Sequence, residues 1–258
     1  MKIAVCIKQA IDVSQLRVDP TTRKPVITGV PRKMSDIDRN AVEEAVRIKE
    51  KHGGKITAIT FGSEKAREVL REALAMGVDE GVLILNEKLE NADTYITSEI
   101  LAAALNKYGP FNLILCGEAT IDSYSGQVGP RIAEILNIPC VTYVRAIQIA
   151  DEKVIVERDL EEKYEKVEVN LPALLVVTRE INVPRLPPLM AILRASKKPI
   201  EKITLNDLKI DVKEPAVEIL DVYAPEMKRK MHIIKDKPID EAVQELIELL
   251  VKEGVLGG

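Results

Sequence analysis

KITAITFGSEKAREVLREALAMGVDEGVLILN, residues 55–86, holds one complete strand–helix–strand unit. Residues 55–62 form a β-rich apolar run that closes on Gly62. Ser63 is placed to cap the helix that follows, EKAREVLREALAMG. Residues 80–86, EGVLILN, form the next strand. A helix between two apolar strands is the crossover of a parallel sheet.

The same alternation extends in both directions. KIAVCI at residues 2–7 is a strand candidate. In residues 40–50 Ala41, Val42, Ala45, Val46 and Ile48 share a helical face. Residues 93–109 read as a helix with Asp93 near its start and Gly109 at its end. FNLILCG, residues 111–117, is a fourth strand, and QVGPRIAEIL, residues 127–136, opens another helix. The fold class is α/β: a doubly wound, mostly parallel sheet with helices on both faces.

After Pro139 the pattern changes. Residues 140–150, 153–170 and 173–181 are β-rich with no helix between them, and read as an antiparallel addition to the parallel sheet. Residues 182–200, NVPRLPPLMAILRASKKPI, carry four prolines, which argues against regular structure over most of the stretch. From about 201 the chain reads as an irregular polar arm that ends in a helix, DEAVQELIELLVKEG. There Ala242, Val243, Leu246, Ile247, Leu249 and Leu250 make an apolar stripe. The expected division is an α/β domain over 1–185, a proline-rich loop over 186–200 and a C-terminal arm over 201–258.

Composition narrows the function. Basic residues number 37 against 41 acidic, a net charge of −4, which gives no reason to expect a nucleic-acid partner. No apolar run reaches the roughly 20 residues of a membrane span. The opening run lacks the longer apolar region and cleavage site of a signal peptide, so a cytoplasmic location is expected. Cys6, Cys116 and Cys140 show no ligand spacing and read as core or pocket-lining residues. His52 and His232 stand apart, and no nucleophile–base pair or metal-ligand set can be assembled. The carboxylates read as solvated helix faces and turns. No catalytic or metal residue is expected.

Ligands in such sheets bind beyond the carboxyl ends of the strands, where the strand order reverses. GEATIDSYSGQVGP, residues 117–130, follows a strand and opens a helix there. Gly117, Gly126 and Gly129 let backbone approach a ligand, helix-start N–H groups attract phosphate, and Ser123, Tyr124, Ser125 and Gln127 add polar groups. The loop is neither a GxGxxG fingerprint nor a P-loop. Asp122 would repel a phosphate unless it is bound to something else.

Taken together, KIAVCIKQAID, NAVEEAVRIKE, ALAMGVDEGVLI, LILCGEATIDSYSGQVGPRIAE, LPALLVVTREINVPR and ASKKPIEKITLNDL resemble the electron-transfer flavoprotein β-subunit family, in order and over almost the whole chain. The resemblance implies a Rossmann-like adenine-nucleotide-binding domain, a partner α subunit carrying FAD, and either AMP or a second FAD in the β chain. It implies a pocket with Cys6, Lys8, Ser35, Asp38, Phe61, Gly62, Gly117, Ile121, Asp122, Ser123, Tyr124, Ser125, Gly126, Gln127 and Val128. Val128 stands where simple carriers have Thr, and QVGP is closer to the electron-bifurcating members. This favours FAD over AMP, with NADH as the substrate of that flavin. The segment with Arg185, Leu186, Leu189 and Met190 matches the family's partner-recognition loop, with Leu189 as the anchor. Packed inward, these apolar side chains would instead be plain core. The last helix would dock on the α subunit, and a flavin dehydrogenase or quinone oxidoreductase would be the redox partner.

Three positions depart from the family pattern: Ser35 replaces the usual Asn, Glu162–Lys163 replace a Gly-Gly turn, and LPPL is unusually proline-rich. A stand-alone nucleotide sensor resembling universal stress proteins shares the glycine-rich loop but needs neither recognition loop nor tail helix. An ATP-pyrophosphatase would need an SGGxDS loop where this chain has KQAID.

Overall fold

A computed structural model describes residues 1–86, 92–210, 215–226 and 231–257. Strand β1 (Lys2–Cys6) leads into two small antiparallel ribbons, β2 (Gln9–Ile11) with β5 (Arg32–Met34) and β3 (Arg17–Val18) with β4 (Pro25–Val26). Helix α1 (Asp36–His52), β6 (Lys55–Gly62), α2 (Arg67–Met76), β7 (Glu80–Leu85), α3 (Thr94–Tyr108), β8 (Leu113–Gly117) and α4 (Val128–Leu136) follow. Next come β9 (Cys140–Ala150), β10 (Lys153–Asp159), β11 (Tyr164–Asn170) and β12 (Ala173–Val177). The chain closes with α5 (Leu189–Ala195), β13 (Ile200–Thr204), α6 (Leu205–Leu208) and α7 (Ile239–Lys252).

Nine strands form one sheet in the order β11-β10-β9-β12-β8-β1-β6-β7-β13. All neighbours pair in parallel except β9–β10 and β10–β11. The central strands are covered on both faces, which is why they read as unbroken apolar runs. In β1, Ile3 and Val5 pack with α1 and α2, while Ala4 and Cys6 pack with α3 and α4. The apolar face of α1 is buried as expected, through Ala41, Val42, Ala45, Val46 and Ile48.

Several expectations need correction. Residues 173–177 are not part of an antiparallel addition, because β12 runs parallel between β8 and β9. An apolar run marks a buried strand but does not reveal its direction. Ser63 makes no side-chain cap bond. The proline-rich stretch contains a two-turn helix, α5, directly after Pro188, a position where a proline interrupts no helical hydrogen bond. The arm does not begin irregularly at 201: β13 pairs with β7 over Ile200–Thr204, and a capping box at Thr204 and Asp207 starts α6. Cys140 is exposed rather than buried.

The Glu162–Lys163 turn is closed without glycine. Glu161 takes the left-handed conformation at φ 62°, and the Leu160 N–H donates to the Lys163 carbonyl at 3.0 Å. Among the described residues, no helix is long and apolar enough to cross a membrane, and no group of His, Cys, Asp and Glu could hold a metal ion.

Candidate nucleotide-binding site

After β1 the chain turns to one side of the sheet through β6 and β7, and then returns to the other side through β8. The segments that leave the carboxyl ends of β1 and β8 therefore diverge, and a pocket opens between them. Its floor is Cys6, Phe61, Leu101 and Cys116, and its rim carries Lys8, Asp38, Thr97, Thr120 and Ser125 through Gly129.

Asp38, in the first turn of α1, ties the two strand ends together. Its carboxylate accepts from the Lys8 N–H at 2.8 Å and from the Gly117 N–H. Burial pushes its pKa up to about 7, against the pull of these contacts and of the Lys8 charge. Gly117 is required by this arrangement: a Cβ there would stand 2.5 Å from the Asp38 Oδ1. Gly126 supplies a different need, a backbone φ of 66° in the turn that leads into α4.

Lys8 donates to Asp122 Oδ1 at 2.8 Å. Asp122 also accepts from the Thr120 hydroxyl at 2.8 Å and the Ile11 N–H at 3.4 Å. Burial raises the Asp122 pKa, but Lys8 and the hydrogen bonds outweigh it and leave the carboxyl below its usual range. Asp122 is thus bound elsewhere, and its charge is largely neutralised before any phosphate arrives. At the loop's far end Gln127 Oε1 accepts from the Thr94 hydroxyl at 2.7 Å and from Arg131 at 3.2 Å. The Thr94 bond holds the start of α4 against the start of α3. Cys6 and Cys116 are register partners on β1 and β8. The Cys6 thiol hydrogen-bonded to it, together with burial, pushes the Cys116 thiol far up, so Cys116 acts as neutral lining.

Nine of the expected residues line the pocket: Cys6, Lys8, Asp38, Phe61, Gly117, Ser125, Gly126, Gln127 and Val128. Six do not. Ser35 is buried, its N–H donates to the Lys8 carbonyl, and its hydroxyl has no partner. Gly62 faces Ala66. Ile121 and Asp122 are partly buried, whereas Ser123 and Tyr124 point to solvent. Sequence reasoning missed Ile7, Thr97 and Leu101, while Cys116, Glu118, Ala119, Thr120 and Gly129 fall where a pocket-lining cysteine and the 117–130 loop were expected. Thr97 and Leu101 lie one turn apart on α3, and that i,i+4 pair just after the Asp93 cap was the available signal.

A second region is apolar and open. Leu186 is 90% exposed, Leu189 70% and Met190 58%, so they do not pack inward. Arg185 instead folds back onto α1. No residue of α7 is buried. Among its described residues, the arm before it is hydrogen-bonded to the domain at Asp93, at Lys24 and at the Arg23 carbonyl. The Ala216 N–H donates to Asp93 Oδ2 at 2.9 Å, and Asp221 accepts from Lys24 at 2.7 Å.

The electron transfer flavoprotein domain model matches residues 26–208. The chain belongs to the electron-transfer flavoprotein β-subunit family. It is 42% identical to the electron transfer flavoprotein subunit beta of Thermoanaerobacterium thermosaccharolyticum over 99% of this chain and all of that one. It is 38% identical to the subunit beta of Bacillus subtilis over 98% of each chain. It is 36% identical to the caffeyl-CoA reductase-Etf complex subunit CarD of Acetobacterium woodii, over 99% of this chain and all of that one. Electron transfer as a flavoprotein β subunit is therefore its function, and the sensor and ATP-pyrophosphatase readings are not favoured.

Proposed function

We propose that the pocket between β1 and β8 binds FAD, and that with an α subunit carrying its own FAD the chain takes part in electron bifurcation from NADH. The observation that carries this reading is the makeup of the pocket. An apolar floor suits an adenine ring, bare backbone at Gly126 suits close approach, and the N-terminus of α4 suits a phosphate. These residues fit a flavin nucleotide. Val128, at the first turn of α4, offers no hydroxyl to a terminal phosphate, which favours the longer diphosphate-linked cofactor.

A bound flavin supplies the hydride and single-electron chemistry. The chain's own part is positional. Asp38 fixes the separation of the strand ends, the Lys8–Asp122 pair sets the charge at the rim, and the thiols of Cys6 and Cys116 keep the floor apolar. The exposed Leu186, Leu189 and Met190 would form the docking surface for a redox partner, a flavin dehydrogenase or reductase, with Leu189 as the anchor. A relative named for a caffeyl-CoA reductase complex supports a reductase in that role. The unburied apolar face of α7 would pack on the α subunit.

The test is cofactor stoichiometry in the purified αβ complex. Two FAD per pair is expected, and one FAD with one AMP overturns the FAD reading. Val128→Thr is expected to increase the share of AMP released on denaturation.

A further inference from the structure

Residues Asn40, Glu43, Glu44, Arg47 and Glu50 recur at helical spacing along one side of α1. In the sequence they look like a solvated face. Yet Asn40, Glu43 and Glu44 are buried, and a single covering segment, residues 179–185, buries them.

The contacts run in order along the helix. The Asn40 amide donates to the carbonyls of Arg179 at 3.1 Å and Asn182 at 2.8 Å. The Asn182 amide returns donors to the Asn40 carbonyl and to Glu44, each at 3.0 Å. Arg47 reaches the Val183 carbonyl at 3.3 Å. The Arg185 N–H and Nε donate to Glu43 Oε2 at 3.1 and 2.8 Å. Its Nη2 donates to Glu43 Oε1 at 3.2 Å and to Glu50 Oε2 at 2.9 Å, and its Nη1 to Glu50 Oε1 at 2.6 Å.

Four of the five guanidinium N–H groups are thereby used inside the chain. Too few remain to grip a carboxylate on another protein in the two-pronged manner that makes arginine a strong contact. The very next residue, Leu186, is almost fully exposed.

We infer that this face of α1 is a cradle that sets the partner-recognition segment, and that Arg185 is its clasp: a positioning residue rather than a contact to the partner. The inference rests on reading residues 186–190 as the docking surface. It explains how a proline-rich stretch holds apolar side chains out in water without collapsing onto the domain. The same helix brings Asp38 to the pocket, so the docking segment and the pocket are built on one rigid element.

The experiment uses the flavin-loaded αβ complex in four forms: wild type, Arg185→Met, Arg185→Lys and Glu50→Gln. Glu43 keeps Arg47 as a partner in the methionine variant, and Glu50 is exposed, so Glu50→Gln tests the clasp without risk to folding. Hydrogen exchange is followed over residues 183–193, and electron transfer is measured with a flavin dehydrogenase that the wild-type complex serves. Arg185→Met is expected to speed exchange there about tenfold, in line with the loss of local hydrogen bonds. It should also raise KM about three- to tenfold while kcat and flavin content stay unchanged, with Arg185→Lys and Glu50→Gln in between.

Unchanged exchange in Arg185→Met and Glu50→Gln overturns the inference, whatever happens to KM. A raised KM with unchanged exchange would make Arg185 a direct contact, which also overturns it. Leu189→Ala separates the two levels of the argument. If that variant leaves KM unchanged, the docking reading falls, while the exchange data still decide whether α1 cradles the segment.

Discussion

Asp38 is a buried carboxyl at the site, and the consequence of its burial can be measured. Its folded pKa of about 7 lies above the ordinary carboxyl value of 3.8. The folded chain therefore binds this proton more tightly than the unfolded chain does. The group's contribution to stability is most favourable below about pH 4 and is lost as the pH rises through about 7. Asp38→Asn removes that titration. Urea unfolding of the nucleotide-free chain should show the variant gaining on the wild type between pH 4 and pH 8; a constant difference would contradict the assignment. Gly117→Ala forces a methyl against the same carboxylate. It should cost about 1–3 kcal/mol in unfolding free energy, the usual range for overpacking, and reduce nucleotide retention.

At the scale of elements, what the sequence made legible follows from periodicity. The β6–α2–β7 unit was readable because strand and helix periods alternate cleanly over residues 55–86. The direction of β12 was not, since it is set by neighbours distant in the sequence. The pocket was legible where it lies on the loop after β8, and illegible where α3 contributes Thr97 and Leu101 from the side. The burial of Glu43 was hidden for a similar reason, because its partner Arg185 lies 142 residues away. Helix α7 makes the opposite case. Its stripe was plain in the sequence, and the structure leaves it uncovered. Truncation before residue 237 should leave the unfolding midpoint of the isolated chain within about 2 °C, since no buried side chain is removed. Co-purification of the α subunit should be lost, as checked by size exclusion.

At the scale of the whole molecule, the chain divides into a packed sheet domain and an arm held by few contacts. Residues 215–226 are largely exposed and are tied down chiefly at Asp93 and at Lys24 with Arg23. Limited proteolysis of the isolated chain should cut first between α6 and α7 and leave a stable fragment close to residues 1–210. The α subunit should slow that cleavage; equal rates with and without it would argue against docking of the arm. The exposed apolar residues of α5 lie outside this arm, so partner docking and subunit pairing should be separable by mutation.

Among the described residues, the order of the sheet leaves two strands, β11 and β13, with one unpaired side each. Both are guarded by charge: Glu165, Lys166 and Glu168 sit in β11, and Glu201 and Lys202 sit in β13. An open edge is a template on which another copy's edge can add, and charged side chains make that addition unfavourable. On the docking reading proposed above, exposed leucines kept open for passing partners would be incompatible with adhesive sheet borders. The few lysines and glutamates on these two borders would then be what opposes filament growth, through residues outside the candidate pocket.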